Sequence, residues 1–262
     1  MAAERRAVRT AVITGGAGGL GRALTKALVT KGWRVAVLDL PGPALADSLG
    51  PSVTAYACDV TDPEQVASIC ARVVADHASI DLVIYNAGIT QIGMFAGTTL
   101  AAHRRVMEIN YFGALHVAAA LLQPVRRSRG THLAISSVAG FAPLHRRTAY
   151  SASKHALEGL FRTLREEERD FGVTVAIAMP SFVATNIGNP QRQDDGTARP
   201  GSASDGIDYM EPDEAARVIL RGLEKGRETI PVGRVARFAF LINRLSPRLY
   251  ARLMMRNIRK KS

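Results

Sequence analysis

The sequence has few cysteines, no long apolar run and no apolar segment near residue 1. Cys58 and Cys70 are too few for a disulfide framework and lack the spacing of metal ligands, so no metal site is expected. The apolar runs, such as 173–178, are four to six residues long, whereas a membrane-spanning helix needs about 20. Residues 1–6 lack the apolar core of a signal peptide. These absences predict a cytoplasmic protein without a transmembrane segment.

Acidic residues are nearly absent from the C-terminal part of the chain. Residues 227–262 contain ten Lys and Arg and one acid, Glu228, whereas the first 226 residues contain 24 basic and 22 acidic residues. The net charge of +11 therefore comes mostly from the C-terminal segment. Any partner that is selected by positive charge is expected to bind there.

Short apolar runs alternate with segments of helical periodicity along most of the chain. This alternation predicts an α/β protein with a doubly wound Rossmann fold, in which about seven parallel strands carry helices on both faces. The predicted strands are 8–14, 34–39, 53–58, 82–85, 132–136, 173–178 and 228–231. The predicted helices are 20–31, 43–49, 63–77, 99–125, 149–170 and 211–225.

One segment, 186–209, interrupts this alternation and is rich in Gly, Pro, Asp, Gln and Ser. It follows a strand end, where open α/β sheets bind their ligands, and loops of this length are usually functional or mobile. We interpret residues 186–210 as a lid over a substrate pocket, with a disordered insertion as the alternative. The pattern predicts a single domain over 1–232 that includes this lid, and a basic helical extension over 233–262.

A glycine-rich turn joins the first predicted strand to the first predicted helix. Residues 14–21 read TGGAGGLG, and such a turn lets a pyrophosphate approach the backbone and rest on the helix N-terminal amides. Asp39 ends the second strand, 18 residues after Gly21, where an acid binds the adenosine ribose hydroxyls. An acid there repels the 2′-phosphate of NADP, and Gly18 and Leu40 supply no compensating positive charge. The sequence therefore favours NAD over NADP as cofactor.

Tyr150 and Lys154 are four residues apart in a predicted helix and therefore share one face. An ammonium near a phenol stabilises the phenolate and lowers the tyrosine pKa from its usual value of about 10. The phenol can then act as a general acid and base for an alcohol or a ketone. Because this spacing is common by chance, the pair carries weight only together with the other motifs.

Taken together, the motifs resemble the short-chain dehydrogenase/reductase family over about residues 8–232. They occur in the family order, and Tyr150 lies 13 positions after Ser137, as in the family. The resemblance implies hydride transfer between a nicotinamide cofactor and a small-molecule alcohol or ketone. The residues that carry it are the turn 14–21, Asp59, Asn86, Ala87, Gly88, Asn110, Ser137, Tyr150, Lys154, Pro180 and Thr185.

The resemblance also implies a role for each matched residue. Tyr150 would exchange a proton with the substrate oxygen. Lys154 would lower the pKa of Tyr150 and hold the nicotinamide ribose. Ser137 would place the substrate oxygen, Ser136 would brace the turn, and Asn110 would shape its helix around a water that links Lys154 to solvent. The implied cofactor contacts are Gly15, Gly19, Leu20 and Gly21 at the pyrophosphate, Asp39 at the adenosine ribose, Asp59 and Val60 at the adenine, Asn86, Ala87 and Gly88 beside the ribose, and Pro180, Val183 and Thr185 near the nicotinamide, with Tyr150 and Lys154 also in contact with the cofactor.

Two positions depart from the family pattern. Tyr85 precedes Asn86 where the family commonly has a second Asn, and Ser181 follows Pro180 where Gly is usual. Neither change removes a catalytic group, so we expect activity to persist. Ser181 is expected to narrow the nicotinamide pocket or to offer it a hydroxyl.

The substrate pocket has no motif of its own and is expected from topology. With the lid, segments 89–98 and 138–148 would form a mostly apolar cavity, which favours a hydrophobic secondary alcohol or ketone. The arginines at 126–127 and 146–147 are interpreted as exposed, and His145 as a solvated loop residue or a substrate contact. The candidate lining residues are Gln91, Met94, Phe95, Phe141, Leu144 and His145.

The C-terminal extension has the pattern of two short basic amphipathic helices. Arginines recur among apolar residues at helical spacing in 234–245 and 248–256, and Ser246 and Pro247 predict the cap and first residue of the second helix. Such helices suit packing over the pocket, contact with another subunit, or peripheral contact with a membrane. Nucleic-acid binding is disfavoured because no recognition motif accompanies the charge.

The leading hypothesis is an NAD-dependent oxidoreductase that interconverts a secondary alcohol and its ketone. The resemblance implies a homodimer or homotetramer built through the helices at 99–125 and 149–170. An acyl-thioester ketoreductase is one alternative, but such enzymes usually prefer NADP, against which Asp39 argues. A catalytically weak, cofactor-sensing regulatory protein is another, although such sensors can lose the Tyr or the Lys that this chain keeps.

Overall fold

Runs of β-branched and aliphatic residues form the strands, and the amphipathic segments between them form the helices. The computed structural model describes residues 8–47, 50–185, 197–198 and 209–259, with the backbone alone over 255–259. Strands β1 to β9 are Thr10–Thr14, Arg34–Asp39, Val53–Ala57, Leu82–Tyr85, Thr90–Gln91, Thr131–Ile135, Thr174–Pro180, Thr197–Ala198 and Thr229–Val232. Helices α1 to α9 are Gly19–Thr30, Pro43–Ala46, Pro63–Asp76, Leu100–Met107, Gly113–Ser128, Thr148–Glu168, Pro212–Glu224, Arg234–Leu245 and Pro247–Arg259.

Among the described residues, seven strands form one sheet in the order β3-β2-β1-β4-β6-β7-β9, and all neighbouring pairs are parallel. In β1, Val12 is in register with Ala36 of β2 and Val83 of β4. The predicted doubly wound sheet of parallel strands is therefore confirmed. Strand order reverses between β1 and β4, which leaves a crevice at their carboxyl ends where such sheets bind ligands.

Helices cover both faces of the sheet because alternate residues of each strand point to opposite sides. Val12, Ala36 and Val83 pack with α3, α5 and α6 on one face, whereas Ile13 and Val35 pack with α1 and α7 on the other. All five residues of β1 are buried. This continuous burial explains why the central strands are mostly apolar and lack an alternation of apolar and polar residues.

The helix predicted over 99–125 is interrupted in the structure. Helix α4 ends at Met107, a π-helical turn covers Glu108–Phe112, and α5 begins at Gly113. A π turn inserts one extra residue and is frequent at functional sites. Apolar periodicity continues on both sides of the insertion, so the sequence pattern shows one helix where the structure has two.

Two short strands that the sequence pattern does not predict, β5 and β8, pair antiparallel beside the main sheet. Thr90 is in register with Ala198 and Gln91 with Thr197, and all four residues are buried. Because 197–198 belong to the segment that we interpret as a lid, this pair ties part of that segment to the residues after β4. The rest of the predicted lid, apart from 209–210, lies outside the described residues.

Helices α8 and α9 follow the last strand of the sheet. Ala236 and Ala239 of α8 form a small apolar cluster with Val138 and Ala142, which follow β6. The Ser246 hydroxyl accepts a hydrogen bond from the Leu249 N–H at 3.3 Å at the start of α9. Across the residues that the structure describes, no helix is both long and apolar enough to cross a membrane.

Candidate active site

A cavity of about 940 Å³ opens at the carboxyl ends of the central strands. This volume suits a small-molecule or cofactor site, for which roughly 300–1,000 Å³ is usual. The walls are formed by the glycine-rich turn, the segments that follow β2, β3, β4, β6 and β7, the start of α6, and Arg105, Glu108 and Ile109 at the junction of α4 with the π-helical turn. The predicted site residues on its wall are Gly15, Gly19, Leu20, Asp39, Asp59, Val60, Asn86, Ala87, Gly88, Ser137, Tyr150, Lys154, Pro180, Val183 and Thr185.

The glycine-rich turn presents bare backbone to the cavity. Helix α1 begins after Gly18, and no side chain caps its first N–H groups and no acid lies in its first turn. An uncapped helix N-terminus favours an anion. Gly19 has a φ of +48°, and a Cβ there would lie 2.6 Å from the Cβ of Thr185. Any side chain would therefore narrow this cradle, and the turn as it stands fits a pyrophosphate.

Gly21 lies beneath the turn and not on the cavity wall. A Cβ on Gly21 would lie 2.8 Å from both Gly16 Cα and Asn86 Nδ2. Asn86 Nδ2 in turn donates hydrogen bonds to the carbonyls of Thr14 at 3.1 Å and Gly15 at 2.9 Å. Gly21 therefore lies in the close packing of α1 against the turn, which differs from its predicted place at the pyrophosphate.

Asp39 ends β2 beside the glycine-rich turn. Its Oδ2 accepts a hydrogen bond from the Ala17 N–H at 3.0 Å, and its Oδ1 accepts one from the Leu40 N–H at 2.9 Å. These two bonds fix the carboxylate at the edge of the cavity. The wall around it, formed by residues 38 and 40–44, carries no charged side chain. This end of the cavity therefore holds a fixed negative charge.

Tyr150 and Lys154 lie on the first two turns of α6, on the side that faces the cavity. Lys154 is 4% exposed, and its Nζ lies 5.8 Å from the centroid of the Tyr150 ring. The same Nζ donates a hydrogen bond to the Ile135 carbonyl at 2.8 Å. Burial lowers the pKa of Lys154 to about 8, and the Glu158 carboxylate opposes part of that shift. At neutral pH the ammonium is therefore the major form beside the phenol.

Asn110 lies behind Lys154, in the π-helical turn, and is buried. Its Oδ1 accepts a hydrogen bond from the Ile89 N–H at 2.8 Å, and its Nδ2 donates to the Ile89 carbonyl and to Ser153 Oγ, both at 2.9 Å. These bonds join the segment after β4 to α6. A Cβ on Gly88 would lie 3.0 Å from Asn110 Oδ1 and 3.6 Å from Lys154 Nζ, so the backbone passes close to both groups. Asn110 therefore lies close to Lys154 but is not among the residues that line the cavity.

Ser137 and Ser136 have different partners. The Ser137 Oγ accepts a backbone N–H two residues on at 3.2 Å, whereas the Ser136 hydroxyl donates to Glu158 Oε1 at 2.8 Å. Glu158 is buried, follows Lys154 by one helical turn, and also accepts a hydrogen bond from Arg162 at 2.8 Å. Glu158 was not predicted, because its spacing from Lys154 is visible in the sequence but its burial is not.

Comparison with known proteins decides the family. The sequence profile of the short chain dehydrogenase family matches residues 9–196. The chain belongs to this family. The dehydrogenase/reductase SDR family member 7B of Mus musculus is 31% identical over 263 residues, which cover 95% of this chain and 81% of that protein.

Solved structures match the fold along nearly the whole chain. A short chain dehydrogenase from Burkholderia cenocepacia, in complex with NADP, is 27% identical with a TM-score of 0.83 and covers 95% of this chain and 98% of its own. A short chain dehydrogenase/reductase from Burkholderia phymatum, in complex with NAD, is 23% identical with a TM-score of 0.75. The match covers 86% of this chain and 88% of its own. This protein is therefore an oxidoreductase of the short-chain dehydrogenase family with a nucleotide-binding Rossmann fold.

One departure of this short-chain dehydrogenase from the family pattern, Tyr85, belongs to the core. Tyr85 ends β4 with its hydroxyl 2.6 Å from His132 Nδ1 of β6, and its ring packs on Phe161. Burial lowers the pKa of His132 to about 4, so this pair is uncharged at neutral pH. The other departure, Ser181, lines the cavity beside Pro180. Only Ser181 of the two can therefore touch a ligand.

The substrate end of the cavity differs from the sequence prediction. Within the described residues, Leu144 lines the cavity and the other five candidates lie elsewhere. Gln91 belongs to β5, is buried and donates a hydrogen bond to the Thr98 hydroxyl, and the Phe141 ring packs against Phe240 of α8. The remaining three are exposed on the surface: Met94, Phe95 and His145. The described residues also contain no group of three or more His, Cys, Asp or Glu that could hold a metal ion.

Two of the four arginines interpreted as exposed are not. Arg147 is buried and lines the cavity just before α6, a position that was not predicted from the sequence. Arg126 forms an ion pair with Glu168 at 2.6 Å and lies over the Phe171 ring. The surroundings of both side chains depend on loops and helices that are distant in the sequence, so the charge pattern alone could not show them.

We expect Glu158→Gln to shift the alkaline limb of the pH–rate profile of this oxidoreductase, in the direction of reduction, to lower pH. The Glu158 carboxylate raises the pKa of Lys154, so its loss lets burial depress that pKa below about 8. The Lys154 ammonium is then lost earlier as the pH rises. The pH dependence of kcat with saturating cofactor would measure this shift.

The control is Glu166→Gln, on the same helix but with a side chain 65% exposed. It should leave the profile unchanged. If Glu158→Gln also leaves it unchanged, Glu158 does not act on Lys154, and its role is limited to holding Ser136.

Proposed function

We propose that this short-chain dehydrogenase interconverts a hydrophobic secondary alcohol and its ketone, with NAD as cofactor. The observation that carries the proposal is the placement of Tyr150, Lys154 and Ser137 on the wall of the cavity that also contains the glycine-rich turn and Asp39. Bound NAD would accept or supply the hydride. The proton transfer and the positioning of the substrate would belong to side chains of this chain.

In this mechanism Tyr150 exchanges a proton with the substrate oxygen. In reduction the phenol donates its proton as the carbonyl oxygen gains charge, and in oxidation the phenolate accepts the hydroxyl proton. The Lys154 ammonium favours the phenolate because an opposite charge lies close by. Ser137 Oγ accepts a hydrogen bond from a backbone N–H. The Ser137 hydroxyl can therefore donate its proton in a hydrogen bond to the substrate oxygen. Asn110 would position Lys154 and shape the helix around a water that leads to solvent.

The remaining wall would hold the cofactor. The pyrophosphate would lie on the N-terminus of α1, whose uncapped N–H groups support this assignment. Asp39 would bind the adenosine ribose hydroxyls. The other cofactor contacts that we propose are Gly15, Gly19 and Leu20 at the pyrophosphate, Asp59 and Val60 at the adenine, Asn86, Ala87 and Gly88 beside the ribose, and Lys154, Pro180, Val183 and Thr185 near the nicotinamide and its ribose.

The lining near the catalytic residues supports a hydrophobic substrate. Leu144, Phe182 and Val183 contribute apolar surface there, with Ser181 and Arg147 as polar groups. Turnover with NAD should be measured across steroid, retinoid, acyl and small polar secondary alcohols. Turnover of the small polar alcohols alone would overturn the assignment of a hydrophobic substrate.

Asp39→Asn should relax the preference for NAD. The carboxylate repels a 2′-phosphate, and like charges in contact cost several kcal/mol, so we expect the ratio of kcat/KM with NAD to that with NADP to fall by roughly 100-fold. Asparagine keeps a carbonyl oxygen that can accept the Ala17 N–H, so the turn should remain in place. Steady-state kinetics with both cofactors would measure the ratio.

Asp47→Asn is the matched control, since Asp47 follows α2 and is exposed. It should leave the ratio unchanged. A wild-type enzyme that prefers NADP would contradict the assignment of Asp39. Arg22, which reaches the Ala44 carbonyl at 3.4 Å beside the cavity, would then be the candidate ligand of the 2′-phosphate.

We also propose a cytoplasmic homodimer or homotetramer, with a catalytic domain over 1–232 and a basic extension over 233–262. Leu100 at the start of α4 and Phe112 before α5 are exposed apolar side chains in the region that the family resemblance assigns to subunit contacts. Sedimentation velocity would measure the assembly, and a monomer at micromolar concentration would overturn it.

A further inference from the structure

One face of helix α8 is packed against the body of the protein. Ala236 and Ala239 are buried there, and the Phe240 ring lies 5.3 Å from the Phe141 ring. Asn243 Nδ2 donates a hydrogen bond to the Phe141 carbonyl at 2.7 Å. This face anchors α8 on the loop that follows β6.

The opposite face of α8 carries large apolar side chains that are exposed and that no other described part of the chain covers. Their spacing of three and four residues places them on one side of the helix, and α9 carries two more. The six side chains are between 40% and 77% exposed. We call them the apolar row: Val235, Phe238, Leu241, Leu245, Leu249 and Leu253. Clustered apolar exposure of this kind marks an interaction surface.

Basic residues accompany the apolar row, and no acid does. Residues 233–262 contain nine Lys and Arg and no Asp or Glu. A second copy of this chain on the same face would therefore bring two strongly positive segments together, which opposes self-association. A negatively charged lipid surface complements both the charge and the apolar side chains. The exposed arginines on the two helices are Arg234, Arg237, Arg244, Arg248 and Arg252.

We propose that α8 and α9 form a docking surface for an anionic phospholipid bilayer. The two helices lie in the plane of the interface, with the apolar row toward the acyl chains and the arginines at the headgroup phosphates. Because the inner face of α8 packs on the loop after Ser137, the bilayer lies about 10 Å, one helix diameter, from that loop. The docking does not depend on which alcohol or cofactor the enzyme uses.

Co-sedimentation of the full-length protein with vesicles tests the proposal. Vesicles of equimolar phosphatidylcholine and phosphatidylglycerol should carry the protein into the pellet, and vesicles of phosphatidylcholine alone should leave most of it in solution. High salt should release the bound protein, because it screens exposed charges. Protein that stays in solution with the phosphatidylglycerol vesicles overturns the proposal.

A matched pair of variants tests the apolar row. Leu245 is 77% exposed, and Phe95, which precedes α4, is 69% exposed. Leu245→Ser should lower the partition constant by roughly tenfold, since the leucine side chain no longer enters the interface. Phe95→Ser, which removes an exposed apolar side chain outside the apolar row, should leave it unchanged. An equal effect of the two substitutions overturns the assignment of the surface.

A matched pair of arginine variants tests the charge. Arg248→Gln with Arg252→Gln should lower the partition constant by roughly 30-fold, at the usual strength of one basic residue near an anionic surface. Arg104→Gln with Arg127→Gln removes the same charge from exposed positions elsewhere and should have little effect. If both pairs weaken binding equally, net charge alone drives it and the proposed surface is wrong.

A subunit contact through the apolar row predicts a different result. In that case Leu245→Ser would lower the mass of the protein in sedimentation velocity without lipid, and wild-type protein would not sediment with vesicles. That pair of results overturns the proposal in favour of a second copy of the chain. Docking on lipid predicts an unchanged mass for Leu245→Ser, together with an unchanged thermal unfolding, because Leu245 is exposed.

Discussion

Replacing Tyr150 with phenylalanine is expected to lower kcat by roughly 10²- to 10⁴-fold, the usual contribution of a positioned general acid or base. Phenylalanine keeps the ring that stands 5.8 Å from Lys154 Nζ and removes only the group that carries the proton. Cofactor affinity should therefore change little. Steady-state kinetics with a reactive ketone would measure the loss of turnover, and NADH fluorescence would measure binding.

Tyr250→Phe is the control for this experiment. Tyr250 packs against the small apolar cluster between α8 and the loop after β6, away from the cavity wall. Removing its hydroxyl should therefore leave kcat unchanged. Wild-type protein that binds NADH but turns over no substrate, with the same affinity in Tyr150→Phe, would contradict the enzymatic proposal. That outcome would favour the cofactor-sensing regulator.

The sheet could be predicted from the sequence because its strands are short apolar runs bounded by turns. The predicted bounds of β2 and β4 agree with Arg34–Asp39 and Leu82–Tyr85 in the structure, and those of β6 differ by one residue at each end. The pair β5 and β8 was not predicted, because strands of two residues have no periodicity and form through a partner more than 100 residues away. The π-helical turn was not predicted because the apolar pattern continues on both sides of it.

The candidate site also has one part that could be predicted from the sequence and one part that could not. The glycine-rich turn, Asp39 and the pair Tyr150 and Lys154 could be predicted, because each is a local pattern at a fixed place after a strand or along a helix. The substrate end could not, since it has no motif and its lining depends on which loops fold over the crevice. Arg147 is the clearest example: its neighbour Arg146 is exposed, and only the tertiary structure distinguishes the two.

Lys154→Met is expected to lower activity and raise stability at the same time. Loss of the ammonium removes the stabilisation of the Tyr150 phenolate, so kcat should fall by an amount comparable to the loss of the tyrosine hydroxyl, roughly 10²- to 10⁴-fold. The free energy of unfolding should rise because burying this ammonium destabilises the folded protein. The drop in the pKa of Lys154 from 10.5 to about 8 measures that cost. At about 1.4 kcal/mol for each pKa unit, it amounts to about 3 kcal/mol at neutral pH.

The hydrogen bond from Lys154 to the Ile135 carbonyl offsets about 1 kcal/mol of this cost, so the net gain in the free energy of unfolding should be about 2 kcal/mol. The gain depends on pH. Below about pH 8 the lysine is protonated in both states and the full cost applies, whereas between about pH 8 and pH 10.5 the unfolded chain binds a proton that the folded protein has released. Wild-type stability therefore rises across this window, and its difference from Lys154→Met shrinks.

Urea unfolding of both proteins at about pH 7 and about pH 10.5 would test this pH dependence of the free energy of unfolding. Lys225→Met removes a lysine from an exposed position after α7 and should change the free energy of unfolding little at either pH. If Lys154→Met is no more stable than wild type at about pH 7, the ammonium is not buried at a cost, and the low pKa would have no basis. If it is more stable but inactive, the fold gives up about 2 kcal/mol to keep a charge beside Tyr150, as expected where a buried cation serves catalysis and not packing.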